Sequence, residues 1–156
     1  MGAAEAVRSP HISYVVARLE RAVRKEIGRL VGPRGLSVAQ YTTLSILRSR
    51  SGLSNAQLAR RLWVTPQSMN EVISALERMG LIARVPDAGN RRILRTALTP
   101  VGKETLAACD ADILAMEQMM LGDTDEEAHG RLVTDLEACV RRLNAVSDER
   151  RANGVA

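Results

Sequence analysis

Thr65, Gln67, Ser68 and Asn70 stand close together, and Arg91, Arg92 and Arg95 follow about one helix and one strand later. The first group offers amides and hydroxyls. Gln and Asn can bond bidentately to an adenine edge, and Ser or Thr can serve a base or a phosphate. The second group offers guanidinium, which is planar, weakly hydrated and suited to phosphates or a narrow minor groove. Neither group is equipped for catalysis. There is no nucleophile elbow, Walker loop or HExxH helix, so no enzyme activity is expected. His11 and His129 lie far apart, without a cysteine or carboxylate cluster at ligand spacing, so no metal and no cofactor is expected. What remains is hydrogen bonding and charge pairing with a polyanion.

These residues need elements to hold them. Thr65-Pro66 reads as an N-cap followed by a first-position proline. It opens a helix to Met79 with a buried stripe of Met69, Val72, Ile73, Leu76 and Met79, and Gly80 is placed as its left-handed stop. A short helix, Ala56 to Leu62, precedes it, capped by Ser54 or Asn55 and joined through the tight turn Trp63-Val64. After Gly80 the period changes from 3.6 to 2. Leu81 to Val85 reads as a strand, Pro86 to Asn90 as a turn and Arg91 to Leu98 as the returning strand. Short helix, turn, helix and hairpin make a winged helix-turn-helix. Its second helix enters a major groove with its N-terminal residues at base edges. A polar helix start alone, or an Arg-Arg turn alone, reads as solvated surface. At this separation the two together point to duplex DNA.

Longer helices flank this unit. Ser9-Pro10 starts the first, with a stripe of Ile12, Val16, Leu19, Val23, Ile27 and Leu30 that stops at Gly32-Pro33-Arg34-Gly35. Ser37 with Gln40 forms a capping box for the second, whose apolar face is Val38, Tyr41, Leu44, Ile46 and Leu47. Thr99-Pro100 opens the fifth, with a seam of Leu106, Cys109, Ile113, Met116 and Met120. After Gly122-Asp123, Thr124 with Glu127 predicts a capping box for a sixth helix carrying Leu132, Leu136, Val140, Leu143 and Val146. The expected fold is mainly α with a minor β element: a winged helix-turn-helix with long N- and C-terminal dimerisation helices. The expected division is a helical dimerisation region at 9–32 and 100–147, a DNA-binding region at 36–99 and a frayed tail at 148–156, all in one continuous domain. The terminal seams exceed what one winged helix can cover, so a homodimer is expected.

Composition narrows the class further. The chain has 156 residues with no Phe, one Trp and two Tyr, too few aromatics for a base-stacking platform of the single-strand binders or an RRM-type sheet. No stretch is long and apolar enough for a membrane span, and no secretory signal is read at the N-terminus. With two cysteines and no disulfide framework, a cytoplasmic setting is expected. The net charge of +4 conceals a split: residues 1–54 carry +6, 55–99 carry +4 and 100–156 carry −6. The acidic third is expected at the dimer end, away from a polyanion.

The stretch LSVAQYTTLSIL, followed by LSNAQLARRLWVTPQSMNEVISALERMGLIARVPDAGNRRILRTALTPVG, resembles the MarR family of bacterial transcriptional regulators. The motifs are LA-x-x-L-x-V-T-x-x-x-M (Leu58 to Met69), LE-x-x-GL-I (Leu76 to Ile82) and LT-x-x-G (Leu98 to Gly102). The resemblance implies a homodimer built by the first, fifth and sixth helices on a palindromic double-stranded operator. Repression or activation would be relieved by a small molecule or an oxidant. Two recognition helices would stand about 34–36 Å apart, one DNA turn. The family wing usually carries Asp-x-Arg, the Asp orienting an Arg into the minor groove. Here Asn90 and Arg92 occupy those positions, so the ion pair is lost and Asp87 is the candidate substitute.

The family also implies a site for a small aromatic or phenolic effector, to which His11, Tyr14, Arg18, Tyr41 and Trp63 could contribute. The tyrosines read first as helix-packing residues. Cys109 in the fifth-helix seam and Cys139 beside the sixth-helix seam read as buried structural thiols. The competing expectation is a winged helix acting through protein–protein contacts without operator binding.

Overall fold

A computed structural model describes residues 10–152. The order is α1 (Ile12–Val31), a 3-10 turn (Gly32–Arg34), α2 (Val38–Ser49), α3 (Asn55–Leu62), α4 (Pro66–Arg78), β1 (Ile82–Pro86), β2 (Leu94–Leu98), α5 (Pro100–Leu121) and α6 (Glu126–Ala152). This is the mainly α winged helix-turn-helix the pattern predicts. The chain forms two compact units whose boundary follows Ala115, inside α5.

In the first unit, Leu44 and Leu47 of α2, Leu58 and Ala59 of α3, and Met69, Ile73 and Leu76 of α4 are buried with Leu81, Ile82 and Leu106. Each large aliphatic side chain so buried contributes roughly 1.5–3 kcal/mol relative to exposure. Aromatic bulk is scarce here, so helix stripes supply nearly all of this core. Local capping fixes where the helices begin. Ser37 with Gln40 and Ser54 with Gln57 form complete capping boxes, and the Thr65 hydroxyl accepts from Ser68 N–H. Each cap stabilises its helix by about 1 kcal/mol. The cap of α3 is thus Ser54, not Asn55.

β1 and β2 pair antiparallel from Ile82 opposite Leu98 to Pro86 opposite Leu94. Leu53 adds a one-residue third rung: Thr96 N–H donates to Leu53 C=O at 3.0 Å and Gly52 N–H to Thr96 C=O at 3.0 Å. β2 starts at Leu94, three residues later than expected. Asp87 N–H bonds Ile93 C=O and Ile93 N–H bonds Asn90 C=O, both at 2.8 Å, so Arg91 to Ile93 belong to the loop.

Other boundaries also differ. α1 begins at Ile12 with His11 as its N-cap, leaving Pro10 two residues ahead of the helix. Ser9 lies outside the described residues. Met79, expected on the buried stripe, is exposed. Its backbone already leaves the helix, and Gly80 turns left-handed at φ 71°. Met120 is exposed too.

In the second unit, α6 is capped by Asp125, whose carboxylate accepts from Ala128 N–H at 2.7 Å. The expected Thr124–Glu127 box does not form. The Thr124 hydroxyl donates instead to Leu121 C=O, and Glu127 pairs with Arg131. Where fraying was expected from Asp148, α6 runs on to Ala152, and no Gly or Pro lies between those two residues to stop it. Leu132, Leu136, Val140, Leu143 and Val146 are all exposed. Among the described residues, no helix is long and apolar enough to cross a membrane.

Candidate nucleic-acid interface

The start of α4 is built for presentation. Thr65 caps it, Pro66 sets its first backbone angle and Met69, Ile73 and Leu76 fasten its inner face. Gln67, Ser68, Asn70 and Glu71 are therefore turned outward and exposed. Thr65 and Ser68 share a hydroxyl hydrogen bond of 2.9 Å, so both also serve the cap. Asn55 adds a clip between the two helix starts, its Nδ2 donating to Pro66 C=O at 3.0 Å. Pro66 has no N–H and Thr65 takes those of Ser68 and Met69, so the Gln67 N–H and the helix dipole are what favour an anion at this end.

The wing lies downstream. Arg91 and Arg92 are exposed and, among the described residues, enter no ion pair. Asn90 Oδ1 accepts from Arg92 N–H at 3.1 Å, so it shapes the tip through the backbone and not through a guanidinium. Asp87 does the clipping. One carboxylate oxygen accepts from Gly89 and Asn90 N–H at 3.0 Å each, and the other accepts from Arg95 Nε at 2.7 Å. Arg95 also donates to Gly52 C=O and Gln57 Oε1, both at 3.3 Å. Arg95 was expected among the groove-contacting arginines. Its half-buried guanidinium ties the wing to the start of α3.

The Arg95 guanidinium, followed by the Asn90 and Gly89 N–H groups, holds the Asp87 carboxyl below its ordinary value. A depressed carboxylate stabilises the fold above its unfolded pKa of about 3.9, and that contribution is lost as pH falls through the lower folded value. The clip is therefore closed throughout the neutral range. Asp87→Ala should weaken duplex binding roughly fivefold through a loosened wing. Fluorescence anisotropy of a labelled duplex should show this with no change in far-UV circular dichroism, and unchanged affinity would rule the clip out.

Gln57 and the pair Arg60 and Arg61 escaped the sequence reading. Gln57 serves both the α3 capping box and the Arg95 anchor. The Ser54-x-x-Gln57 spacing signals the first role, but no local signal announces the second. Arg60 and Arg61, in the last turn of α3, are exposed and enter no ion pair among the described residues.

The residues considered for an effector lie on α1, on α2 and in the turn after α3. Tyr14 and Arg18 meet on the exposed face of α1, the guanidinium 5.7 Å from the ring centroid. His11 stands at the N-cap position of the same helix without a side-chain capping bond, while Tyr41 is buried in α2. Trp63 lies in the turn between α3 and α4. Cys109 is buried, and burial raises its thiol pKa, which keeps it protonated and unreactive at neutral pH. Cys139 is exposed, contrary to expectation, because it lies on an uncovered length of α6.

A capped recognition helix beside an anchored basic hairpin defines a winged-helix DNA-binding protein. The MarR family model matches residues 36–94. The HTH-type transcriptional repressor Rv2887 of Mycobacterium tuberculosis is 33% identical over 110 residues, covering 70% of this chain and 79% of the relative. The crystal structure of that protein in complex with salicylic acid superposes with a TM-score of 0.67 at 29% identity, covering 85% of this chain and 98% of the other. The transcriptional regulator BldR of Sulfolobus solfataricus superposes with a TM-score of 0.74 at 25% identity, covering 84% and 93%. The chain belongs to the MarR family and is a DNA-binding transcriptional regulator.

Proposed function

We propose that the protein is a cytoplasmic repressor that binds a palindromic duplex operator as a homodimer and is released by a small aromatic acid. One observation carries the DNA site: the outward polar start of α4 stands in one winged helix with the exposed Arg91 and Arg92 of the wing. Gln67 and Asn70 read base edges, Thr65 and Ser68 serve the cap and adjacent phosphates, and Arg91 and Arg92 enter the minor groove. Residues 36–99 form the DNA-binding region, and 9–32 with 100–147 the dimerisation region. Support for a second copy comes separately from each unit. The first turns of α1 expose Ile12, Val15, Val16 and Leu19, and α6 exposes its whole leucine and valine stripe. The effector reading rests on the relative solved with salicylic acid. Arg18 stacked on Tyr14 offers a guanidinium for such a carboxylate, with His11 and Tyr41 as further candidates.

The test is selection of bound duplexes from a random pool, followed by titration at several salt concentrations. Affinity should fall steeply with salt, with a log–log slope of about −0.9 per phosphate contacted. Gln67→Ala should cost roughly 1–3 kcal/mol on the selected site and relax preference at one base pair. Arg92→Ala should weaken binding and shallow the salt slope by about 1. A flat salt response, or a pool that yields no motif, sinks the proposal. Salicylate should reverse binding by the unmodified protein.

A further inference from the structure

Trp63 is the chain's one tryptophan, and it is not used to fill the core: 60% of it is exposed. It sits at the corner of the helix-turn-helix, two residues before the cap of α4. Its backbone is left-handed, φ 55° and ψ 39°, and it is the one non-glycine residue with positive φ among the described residues. That conformation strains any residue with a Cβ and is relaxed for glycine. The turn is nevertheless locked there, with Trp63 N–H reaching the Ala59 and Arg60 carbonyls and Val64 N–H donating to Ala59 C=O at 3.1 Å. An exposed indole at a position made for glycine gains the fold little. Its surroundings indicate what it is for. Arg60 and Arg61 precede it, exposed and without ion-pair partners among the described residues, and the exposed run Val64 to Ser68 follows it.

We propose that Trp63 is a contact to the sugar–phosphate backbone of the operator, fixing the depth and register of α4 in the groove. This deepens the DNA-site reading above and rests on it. The indole supplies one N–H donor for a phosphate oxygen and a broad apolar face for a deoxyribose, while Arg60 and Arg61 supply the positive field. Contacts of this kind position a protein without reading sequence. Trp63 therefore raises affinity for every duplex equally and leaves base preference to Gln67 and Asn70.

Because Trp63 is the one tryptophan, its emission reports on this contact directly. The experiment titrates the unmodified protein with a selected duplex and with an unrelated one, following both indole emission and the anisotropy of labelled DNA. Trp63→Gly and Trp63→Phe are then compared. The emission should change and saturate together with anisotropy. Trp63→Gly, which relieves the backbone, should stay folded and bind both duplexes about tenfold more weakly, with their ratio unchanged. Trp63→Phe, which keeps a ring but no donor, should fall between. If the unmodified protein binds duplex while emission stays silent and Trp63→Gly binds as well as the parent, the inference is overturned and the DNA site stands. Loss of the selected duplex alone, or an emission response to salicylate but not to DNA, also overturns it. If the unmodified protein binds no duplex, the site reading fails and this inference with it.

Discussion

Gly102→Ala should destabilise the protein by about 3 kcal/mol, although alanine is the better helix former. Gly102 lies in the first turn of α5, where helix propensity alone would predict a gain of up to about 1 kcal/mol. The surroundings reverse the sign. A Cβ built on Gly102 would stand 2.0 Å from the Leu81 carbonyl oxygen and 2.9 Å from its carbon. That carbonyl cannot swing aside, because it accepts from Thr99 N–H at 3.1 Å. Thr99 is tied in turn, its hydroxyl donating to Gly80 C=O at 2.7 Å and accepting from Gly102 N–H at 3.0 Å. The end of α4, the start of β1 and the start of α5 thus meet at a backbone knot with room for no side chain. Thermal or urea denaturation measures the effect. For a chain of this size, 3 kcal/mol lowers the midpoint by roughly 10 °C. A midpoint within a degree of the parent would show that α5 shifts away at no cost.

The same knot shows what a sequence reveals and what it hides. Gly80 as a left-handed stop and Thr99 as a cap are legible, because both act within a few residues. The same holds for the boxes at Ser37 and Ser54 and for the cap at Thr65. The close approach of Gly102 to Leu81 is not legible, because it joins residues far apart in sequence. The wing follows the same division. Alternation announced a hairpin, but its register depends on the Asp87 carboxylate, which turns the chain and delays β2 to Leu94. Arg91, Arg92 and Arg95 look alike in the sequence. Only the fold separates two exposed guanidiniums from one bound to Asp87, Gly52 and Gln57. At α6 the sequence pointed to Thr124, but its hydroxyl went to the preceding helix and the neighbouring Asp125 became the cap.

Leu136→Glu combined with Leu143→Glu should abolish tight operator binding without touching the DNA-reading surface. Leu136 is 42% exposed and Leu143 66% exposed in the single chain, so neither substitution removes a buried core contact. Both residues sit mid-helix, well away from the Asp125 cap, and glutamate is a good helix former. Helix content should therefore be unchanged. What the carboxylates disturb is the apolar face that we assign to a second copy, where two desolvated charges would have no counter-ion. Sedimentation should then find a monomer where the parent is expected to run as a dimer. A dimer holds two half-sites at once, and losing that linkage costs a factor of about 10²–10⁴ in apparent affinity. Binding to a single half-site should remain weak, salt-sensitive and dependent on Gln67, because the winged helix itself is intact. A doubly substituted protein that still sediments as a dimer would place the interface elsewhere. One that becomes a monomer yet binds the full operator like the parent would show that each winged helix acts alone, and the palindromic operator would lose its rationale.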